Sequence, residues 1–204
     1  MVDTPMSGLR QPRARTLNPA NGLTVVRLLL VPVFAGILLG GDPDDPMRRL
    51  VAAAVFALAV LTDKVDGDLA RSRGWVTPLG IILDPIADKA LIGTALVGLS
   101  LLGELPWWVT IVVLVREVGV TVLRFVVIKH GIMPAGRGGK IKTALQALAI
   151  FLLLLPLSGI GHTVALGIMA VAVVVTVVTG IDYVVAAARL RATSERTRRR
   201  RGEA

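Results

Sequence analysis

The sequence contains no cysteine, and this absence excludes any structure that depends on thiol chemistry. Neither a disulfide framework nor a metal site built on thiolates can form without cysteine. The chain also has no sustained alternation of apolar and polar residues with a period of two, which a strand-based membrane barrel would show. No internal repeat of the kind found in many transporters is present either. The fold must therefore be inferred from what the chain has in excess.

Apolar residues are that excess: they form 54% of the 204 positions, with only 4% aromatic residues and a mean hydropathy of +0.73. A helix needs about 20 apolar residues to cross a bilayer, and its backbone forms its own hydrogen bonds there. Thr24 is predicted to cap the first helix, and Arg27 to reach either the lipid headgroups or a functional site. The apolar runs predict an all-α, polytopic membrane protein with six transmembrane helices, at about 23–40, 48–66, 79–102, 106–129, 140–157 and 163–187.

Basic residues are unevenly distributed along this chain of net charge +9. They lie in the N-terminal segment, in two loops between predicted helices and in the arginine-rich tail. By the positive-inside rule both termini are cytoplasmic, and the acidic loop 40–46 is outside. The charge is expected to meet anionic membrane lipids, and no nucleic acid is expected as a partner. The predicted parts are a basic cytoplasmic segment (1–17), a six-helix membrane domain (18–188) and an Arg-rich cytoplasmic tail (189–204) of a plasma-membrane protein.

Four aspartates lie where the apolar pattern predicts the second and third helices. Asp63 and Asp66 are at i and i+3, and Asp84 and Asp88 are at i and i+4, so each pair lies on one helix face. Both pairs lie near the cytoplasmic boundary, where four carboxylates repel one another unless cations neutralise them. Such oxygen ligands suit Mg²⁺, Mn²⁺ or Ca²⁺, and two such ions can clamp a diphosphate. The alternative is a set of interfacial acids paired with neighbouring basic residues: Lys64, Arg71, Arg73 and Lys89.

The residues between the two aspartate pairs favour a ligand site. Gly67, Ala70 and Gly80 leave room for a bulky ligand or a backbone to approach closely, although small residues also serve helix packing in lipid. Arg71 is placed where a guanidinium can hold a phosphate. Pro85 directly follows Asp84 and predicts a kink in the third helix.

A second candidate site is the segment 139–143, Gly-Lys-Ile-Lys-Thr. It lacks the preceding strand and glycine spacing of a nucleotide P-loop. Lysines at a helix N-terminus beside a glycine-rich loop form an anion site, although positive-inside charge explains either lysine alone. Arg116 and Arg124, at i and i+8, lie roughly on one face of the fourth helix. Together these residues are a predicted phosphate site: Arg116, Arg124, Lys140, Lys142 and Thr143.

The whole aspartate segment resembles a known family signature. Asp63-x2-Asp66-Gly67-x2-Ala70-Arg71-x8-Gly80-x3-Asp84-x3-Asp88 is similar, position for position, to the motif of the CDP-alcohol phosphotransferase family. The resemblance implies six transmembrane helices, a homodimer, two divalent cations (Mg²⁺ or Mn²⁺), and transfer from a CDP-linked donor to an alcohol with release of CMP. It implies that Asp63, Asp66, Asp84 and Asp88 are metal ligands and that Asp88 is also the catalytic base. It implies a CDP-binding set of Asp66, Gly67, Ala70, Arg71 and Gly80.

The resemblance extends to one branch of this family. Segments 18–32 and 115–150 are similar to bacterial phosphatidylglycerophosphate synthases, and the tails are not. This branch implies CDP-diacylglycerol as donor and sn-glycerol 3-phosphate as acceptor, held by the predicted phosphate site. The products would be phosphatidylglycerophosphate and CMP.

Three other functions remain open at this point. The same donor can serve another acceptor, either inositol phosphate or phosphatidylglycerol for cardiolipin. An intramembrane prenyltransferase also uses aspartate-rich helices, but lacks the spacing of Gly67, Ala70, Arg71 and Gly80. A cation-coupled transporter would explain the acids but neither the glycines nor the lysine cluster. Release of CMP with each candidate acceptor in turn distinguishes these functions.

Overall fold

The computed structural model describes residues 19–73, 77–127 and 137–202. Within those ranges the chain forms six α-helices and no strand, which confirms the all-α prediction and the order of its elements. The helices are α1 (Pro19–Leu39), α2 (Pro46–Arg73), α3 (Pro78–Leu101), α4 (Trp107–Val127), α5 (Arg137–Leu154) and α6 (Ile160–Gly202).

Local sequence explains several of the helix ends. Thr77 caps α3, because its side chain accepts a hydrogen bond from the backbone amide of Gly80 at 3.0 Å, and Pro78 occupies the first turn. α3 ends in a tight turn in which Gly103 has a φ of +77°, a conformation that favours glycine. The helix continues through Pro85.

Two predicted boundaries differ from the structure. α1 begins at Pro19, so Thr24 lies inside the helix, and the prediction that it caps the N-terminus is wrong. Its hydroxyl bonds to another helix instead. α6 continues to Gly202, beyond residue 187 where the sequence predicts the sixth helix to end. Its 43 residues span about 64 Å, about twice the hydrocarbon thickness of a bilayer.

The six helices share one apolar core. α1 packs against α2 and α3, α6 packs against α4 and α5, and α5 also contacts α2 and α3. The fully buried side chains at the centre combine large residues with alanines on the same helices, and the alanines let neighbouring helices approach closely. They include Phe34, Phe56, Leu96, Ile150 and Met169.

A polar cluster ties the helix ends that lie opposite the aspartates. Arg49, near the start of α2, forms an ion pair with Glu104 in the α3–α4 turn and donates to the backbone carbonyl of Leu153 at 2.8 Å. His162, near the start of α6, lies 3.4 Å from the same glutamate. These contacts connect α2, α5 and α6 at the end of the bundle where their apolar core finishes.

The outer surface of the bundle is strongly apolar. Ile160, Val115 and Leu29 are 84%, 66% and 64% exposed, a pattern that water-soluble monomers rarely show over so many side chains. Two helices are long and apolar enough to cross a membrane, at Gly22–Leu39 and Ile160–Arg191. In the other four helices charged residues interrupt the apolar run, as Asp84, Asp88 and Lys89 do in α3. The described residues thus support six helices, of which two meet the length and composition expected of a span.

Candidate active site

Helix α1 holds the first motif aspartate. Arg27, which is 1% exposed, forms an ion pair through its Nη1 with Oδ1 of Asp63 on α2. The side chain of Asp63 is 43% exposed, so this carboxylate lies at the edge of the buried region with the guanidinium behind it. A charge as deeply buried as that of Arg27 requires a partner of opposite sign. Of the two predictions made for Arg27, contact with the site is the one confirmed.

Helix α1 also holds the third motif aspartate. The buried hydroxyl of Thr24 donates to Oδ1 of Asp84 on α3 at 2.6 Å. Thr24 and Arg27 are three residues apart and therefore lie on one face of α1. Through these two side chains, a helix that carries none of the motif orients one carboxylate on α2 and one on α3.

Asp88 lies where the charges of four helices interact. It is one helical turn beyond Asp84 on α3. Its carboxylate interacts electrostatically with Asp63 on α2, Glu117 on α4 and Lys142 on α5, and with its own neighbour Lys89. The structure therefore brings one aspartate from each motif pair together with a lysine of the predicted phosphate site.

Lys142 enters this group as a buried cation. It is only 4% exposed, and its ammonium forms an ion pair with Glu117 of α4. Arg116 donates from Nη1 to the same Oε1 of Glu117 at 3.0 Å. Glu117 thus pairs with two cations at once, so the group of Arg116, Glu117 and Lys142 keeps a net charge of +1, and the ammonium of Lys142 is held between Glu117 and Asp88 in the range of both charges.

Arg116 also contacts α6. Its Nη2 donates to the hydroxyl of Thr179 at 3.0 Å, its Nε donates to the carbonyl of Thr176 at 3.3 Å, and its guanidinium lies 5.8 Å from the centre of the Tyr183 ring. A methyl group at Gly180 would lie 3.2 Å from Cγ of Arg116, so glycine permits this approach. Arg116 ties α4 to α6 beside the site, and its predicted contact with the acceptor phosphate stays a prediction.

The other candidate residues lie around this centre. Lys140 and Thr143 are exposed on α5, and the hydroxyl of Thr143 donates to the carbonyl of Gly139 at 3.0 Å. Gly80 lies buried in the first turn of α3. The remaining candidates lie on α2 or α4, but their side chains are outside the described residues: Asp66, Gly67, Ala70, Arg71 and Arg124.

The donor atoms of this site suit a hard divalent cation. Carboxylate oxygens are the ligands that Mg²⁺ and Mn²⁺ prefer, and Asp63 and Asp88 interact with each other across the gap between α2 and α3. No group of three aspartate, glutamate, histidine or cysteine side chains that could hold an ion is found in the described part of the chain. The oxygen ligands of this site therefore suit a divalent cation.

The sequence does not reveal the roles of Glu117 and Thr24 in this site, and it leaves two alternatives for Arg27. Glu117 received no role, although an acid inside an apolar helix is itself a signal that function or pairing requires it. The prediction that Thr24 caps a helix misses its hydrogen bond to Asp84. The i, i+3 spacing of Thr24 and Arg27 within an otherwise apolar helix was the pattern that could have identified them as partners of the aspartates.

The structure is an all-helical bundle with an apolar outer surface, in which acidic side chains lie near a buried lysine. The family model for CDP-alcohol phosphatidyltransferases matches residues 17–178, and the chain belongs to this family. The chain is therefore a phosphotransferase enzyme, and members of the family generally depend on divalent cations.

Three relatives show which named proteins this chain is similar to. The chain is 54% identical over 185 residues to a probable phosphatidylglycerophosphate synthase of Mycobacterium tuberculosis, covering 91% of this chain and 88% of that protein. It is 38% identical over 179 residues to the CDP-diacylglycerol–glycerol-3-phosphate 3-phosphatidyltransferase of Bacillus subtilis, covering 81% of this chain and 93% of that protein. It is also 38% identical over 120 residues to a CMP-forming cardiolipin synthase of Streptomyces coelicolor, covering 59% and 56% of the two chains.

Proposed function

We propose that this protein transfers the phosphatidyl group of CDP-diacylglycerol to sn-glycerol 3-phosphate, giving phosphatidylglycerophosphate and CMP. The observation that carries the proposal is the electrostatic interaction of Asp88 with both Asp63 and Lys142, which sets carboxylates suited to cations near a buried ammonium that is paired with Glu117. The donor diphosphate needs carboxylates that hold cations, and the acceptor phosphate needs a positive charge. The two relatives that match most of the chain carry names for this same reaction.

In the proposed reaction, the primary hydroxyl of glycerol 3-phosphate attacks the phosphorus that carries diacylglycerol. The new bond is P–O to glycerol, and the bond that breaks joins this phosphorus to the oxygen of CMP, which leaves with the electron pair. Asp88 takes the hydroxyl proton as the attack proceeds. The phosphate of the acceptor is held by cations of α4 and α5: Arg116, Arg124, Lys140 and Lys142, with the hydroxyl of Thr143.

Divalent cations complete the donor side of the proposal. Asp63, Asp66, Asp84 and Asp88 would hold two ions, Mg²⁺ or Mn²⁺, whose charge would offset that developing on the diphosphate. Thr24 and Arg27 orient the carboxylates of Asp84 and Asp63 for this task. Asp66, Gly67, Ala70, Arg71 and Gly80 would form the pocket for CDP.

The proposed setting is the plasma membrane, with six spans, both termini cytoplasmic and a homodimer as the working unit. Two apolar helices and an apolar outer surface support a membrane location. The arginine-rich end of α6 is proposed to meet anionic lipid headgroups. The cytoplasmic side is required because water-soluble glycerol 3-phosphate is taken to arrive from the cytosol.

The test is an acceptor panel on purified protein in detergent or vesicles. CDP-diacylglycerol and Mg²⁺ are supplied with glycerol 3-phosphate, inositol phosphate or phosphatidylglycerol, and both CMP and the lipid product are measured. We expect turnover with glycerol 3-phosphate to exceed the others by at least tenfold. Preference for inositol phosphate would contradict the proposed acceptor and leave the family unchanged.

Phosphatidylglycerol is the second candidate acceptor, because the match to a CMP-forming cardiolipin synthase favours it specifically. That match covers 59% of the chain, whereas the match to the Mycobacterium tuberculosis relative covers 91%. A buried lysine also suits a phosphate monoester with two negative charges better than the single charge of a phosphodiester. Cardiolipin as the main product of the panel would reverse this ranking.

A further inference from the structure

Gln146 of α5 is a buried amide without a partner in the described part of the molecule. Its side chain is 2% exposed, and neither Oε1 nor Nε2 has a hydrogen-bond partner. Leaving a buried polar group unpaired costs about 1–3 kcal/mol, so such groups are rare in folded proteins. Gln146 differs in this from Ser100 and Thr110, whose buried hydroxyls bond to each other at 2.7 Å; the hydroxyl of Thr176 is a second buried group without a partner among the described residues.

The position of Gln146 connects it with the candidate active site. Lys142 and Gln146 are four residues apart on α5 and therefore lie on the same face, one turn from each other. The same buried stripe continues as Ala149, Ile150 and Leu153, all of which belong to the apolar core. Gln146 thus lies one turn from Lys142, on the face of α5 that continues into the apolar core.

We propose that Gln146 binds the non-reacting C2 hydroxyl of the acceptor, an assignment that rests on the function proposed above. An amide offers one acceptor oxygen and two N–H donors, and an alcohol hydroxyl both donates and accepts one hydrogen bond. Lys142, one turn closer to the start of α5, supplies the charge for the acceptor phosphate. A phosphorylated polyol that reaches from Lys142 toward the core therefore brings a hydroxyl to the amide.

This assignment makes Gln146 a specificity-determining residue. A site built to hydrogen-bond a substrate hydroxyl rejects the analogue that lacks it, because the protein group is then left buried and unpaired. The residue lies away from the bond that breaks, so it affects which alcohol is accepted and leaves the proton transfer to Asp88. In the free enzyme the same amide is expected to lower stability, since no group among the described residues satisfies it.

The experiment compares two acceptors in the purified full-length enzyme with Mg²⁺ and CDP-diacylglycerol. One acceptor is sn-glycerol 3-phosphate, and the other is 3-hydroxypropyl phosphate, which keeps the reacting primary hydroxyl and lacks only the C2 hydroxyl. We expect the wild type to prefer glycerol 3-phosphate in kcat/KM by a factor of about 10–100. In Gln146→Met, which has similar length and no hydrogen-bonding group, the preference should fall below about threefold.

Thermal unfolding of the same variants provides a readout independent of activity. Removing an unpaired amide should leave the Tm of Gln146→Met unchanged or raise it by about 2–4 °C. Gln146→Leu repeats the test with a different apolar shape. Thr110→Val is the matched control, because it removes a buried polar group that has partners; its Tm should fall while its acceptor preference stays at the wild-type value.

Two outcomes overturn this assignment. If both Gln146 variants keep the wild-type preference, the amide does not contact the C2 hydroxyl. If both lose several degrees of Tm along with the preference, the amide supports the fold through a protein partner. Failure of the wild type to use glycerol 3-phosphate would instead contradict the proposed function, and that result is visible before any variant is made.

Discussion

Lys142 of α5 and Arg116 of α4 share one carboxylate oxygen, Oε1 of Glu117. The lysine lies on the side of Asp88, whereas the arginine continues to Thr179 and Tyr183 of α6. This oxygen joins α4 to α5, and Arg116 extends the connection to α6. The position of the buried ammonium therefore depends on α6 as well as on its own helix.

Neutralising Glu117 should disturb the acceptor site through Lys142. Glu117→Gln keeps the shape but removes the charge that fixes a nearly buried ammonium, a loss worth about 1.5–3 kcal/mol. We expect a KM for glycerol 3-phosphate raised by about 10–100-fold, with the KM for CDP-diacylglycerol changed far less, and a lower Tm. Steady-state kinetics with each substrate varied in turn provide the measurement.

Two further variants separate charge placement from general damage. Lys142→Met with Glu117→Gln should lose less Tm than the sum of the single changes, because the pair is removed together. Lys140→Ala, at an exposed position, should raise the acceptor KM without lowering Tm. Strictly additive losses for the buried pair would contradict the contact as described.

Thr24→Val should weaken the site by releasing Asp84. The variant is nearly isosteric and removes the 2.6 Å hydrogen bond that orients Oδ1. A hydrogen bond to a charged group is worth about 1.5–3 kcal/mol, so kcat/KM should fall by about 10–100-fold. The Mg²⁺ concentration for half-maximal activity should also rise. Thr24→Ser keeps the hydroxyl and should recover most of both values; equal loss in Ser and Val would refute an orienting role.

Asp88→Asn tests the proposed base. Asparagine keeps the side-chain shape but cannot accept the hydroxyl proton, so turnover should fall by about 10²–10⁴-fold. Binding of CDP-diacylglycerol, measured by equilibrium titration of the purified variant, should remain within a few-fold of wild type. Activity within a few-fold of wild type would show that another group takes the proton.

Removal of divalent cations should abolish activity. Carboxylates that converge without cations repel one another, and excess chelator is expected to stop CMP release until Mg²⁺ or Mn²⁺ is restored. Asp63→Asn, Asp66→Asn and Asp84→Asn should each lower turnover by orders of magnitude while the protein still inserts into membranes. Full activity in excess chelator is the result incompatible with the proposed cation site.

The proposed topology predicts the labelling of two positions. A cysteine placed in the loop 42–46 of this cysteine-free chain should react with an impermeant thiol reagent added outside intact cells, and one placed after Gly202 should react only after permeabilisation. The two positions serve as controls for each other, because one should be labelled in intact cells and the other only in permeabilised cells. The reverse pattern would put the aspartates on the side away from cytosolic glycerol 3-phosphate.

Much of this protein follows from its sequence alone. Long apolar runs predicted six helices in the observed order, because apolar length is a local property that each segment carries by itself. The spacing of Asp63, Asp66, Asp84 and Asp88 placed each pair on one helix face for the same reason. The family also followed from this motif, since its positions lie within one short stretch of chain.

The contacts that organise the site were decided only by tertiary structure. Thr24 reaches Asp84 across 60 residues of sequence, and Lys142 reaches Glu117 across 25. Helical periodicity states which face a residue occupies but not which other helix that face meets. Those partners are determined by the packing of α1 against α2 and α3 and of α4 and α5 against α6. Only the assembled core sets the rotation of each helix about its axis and its depth in the bundle.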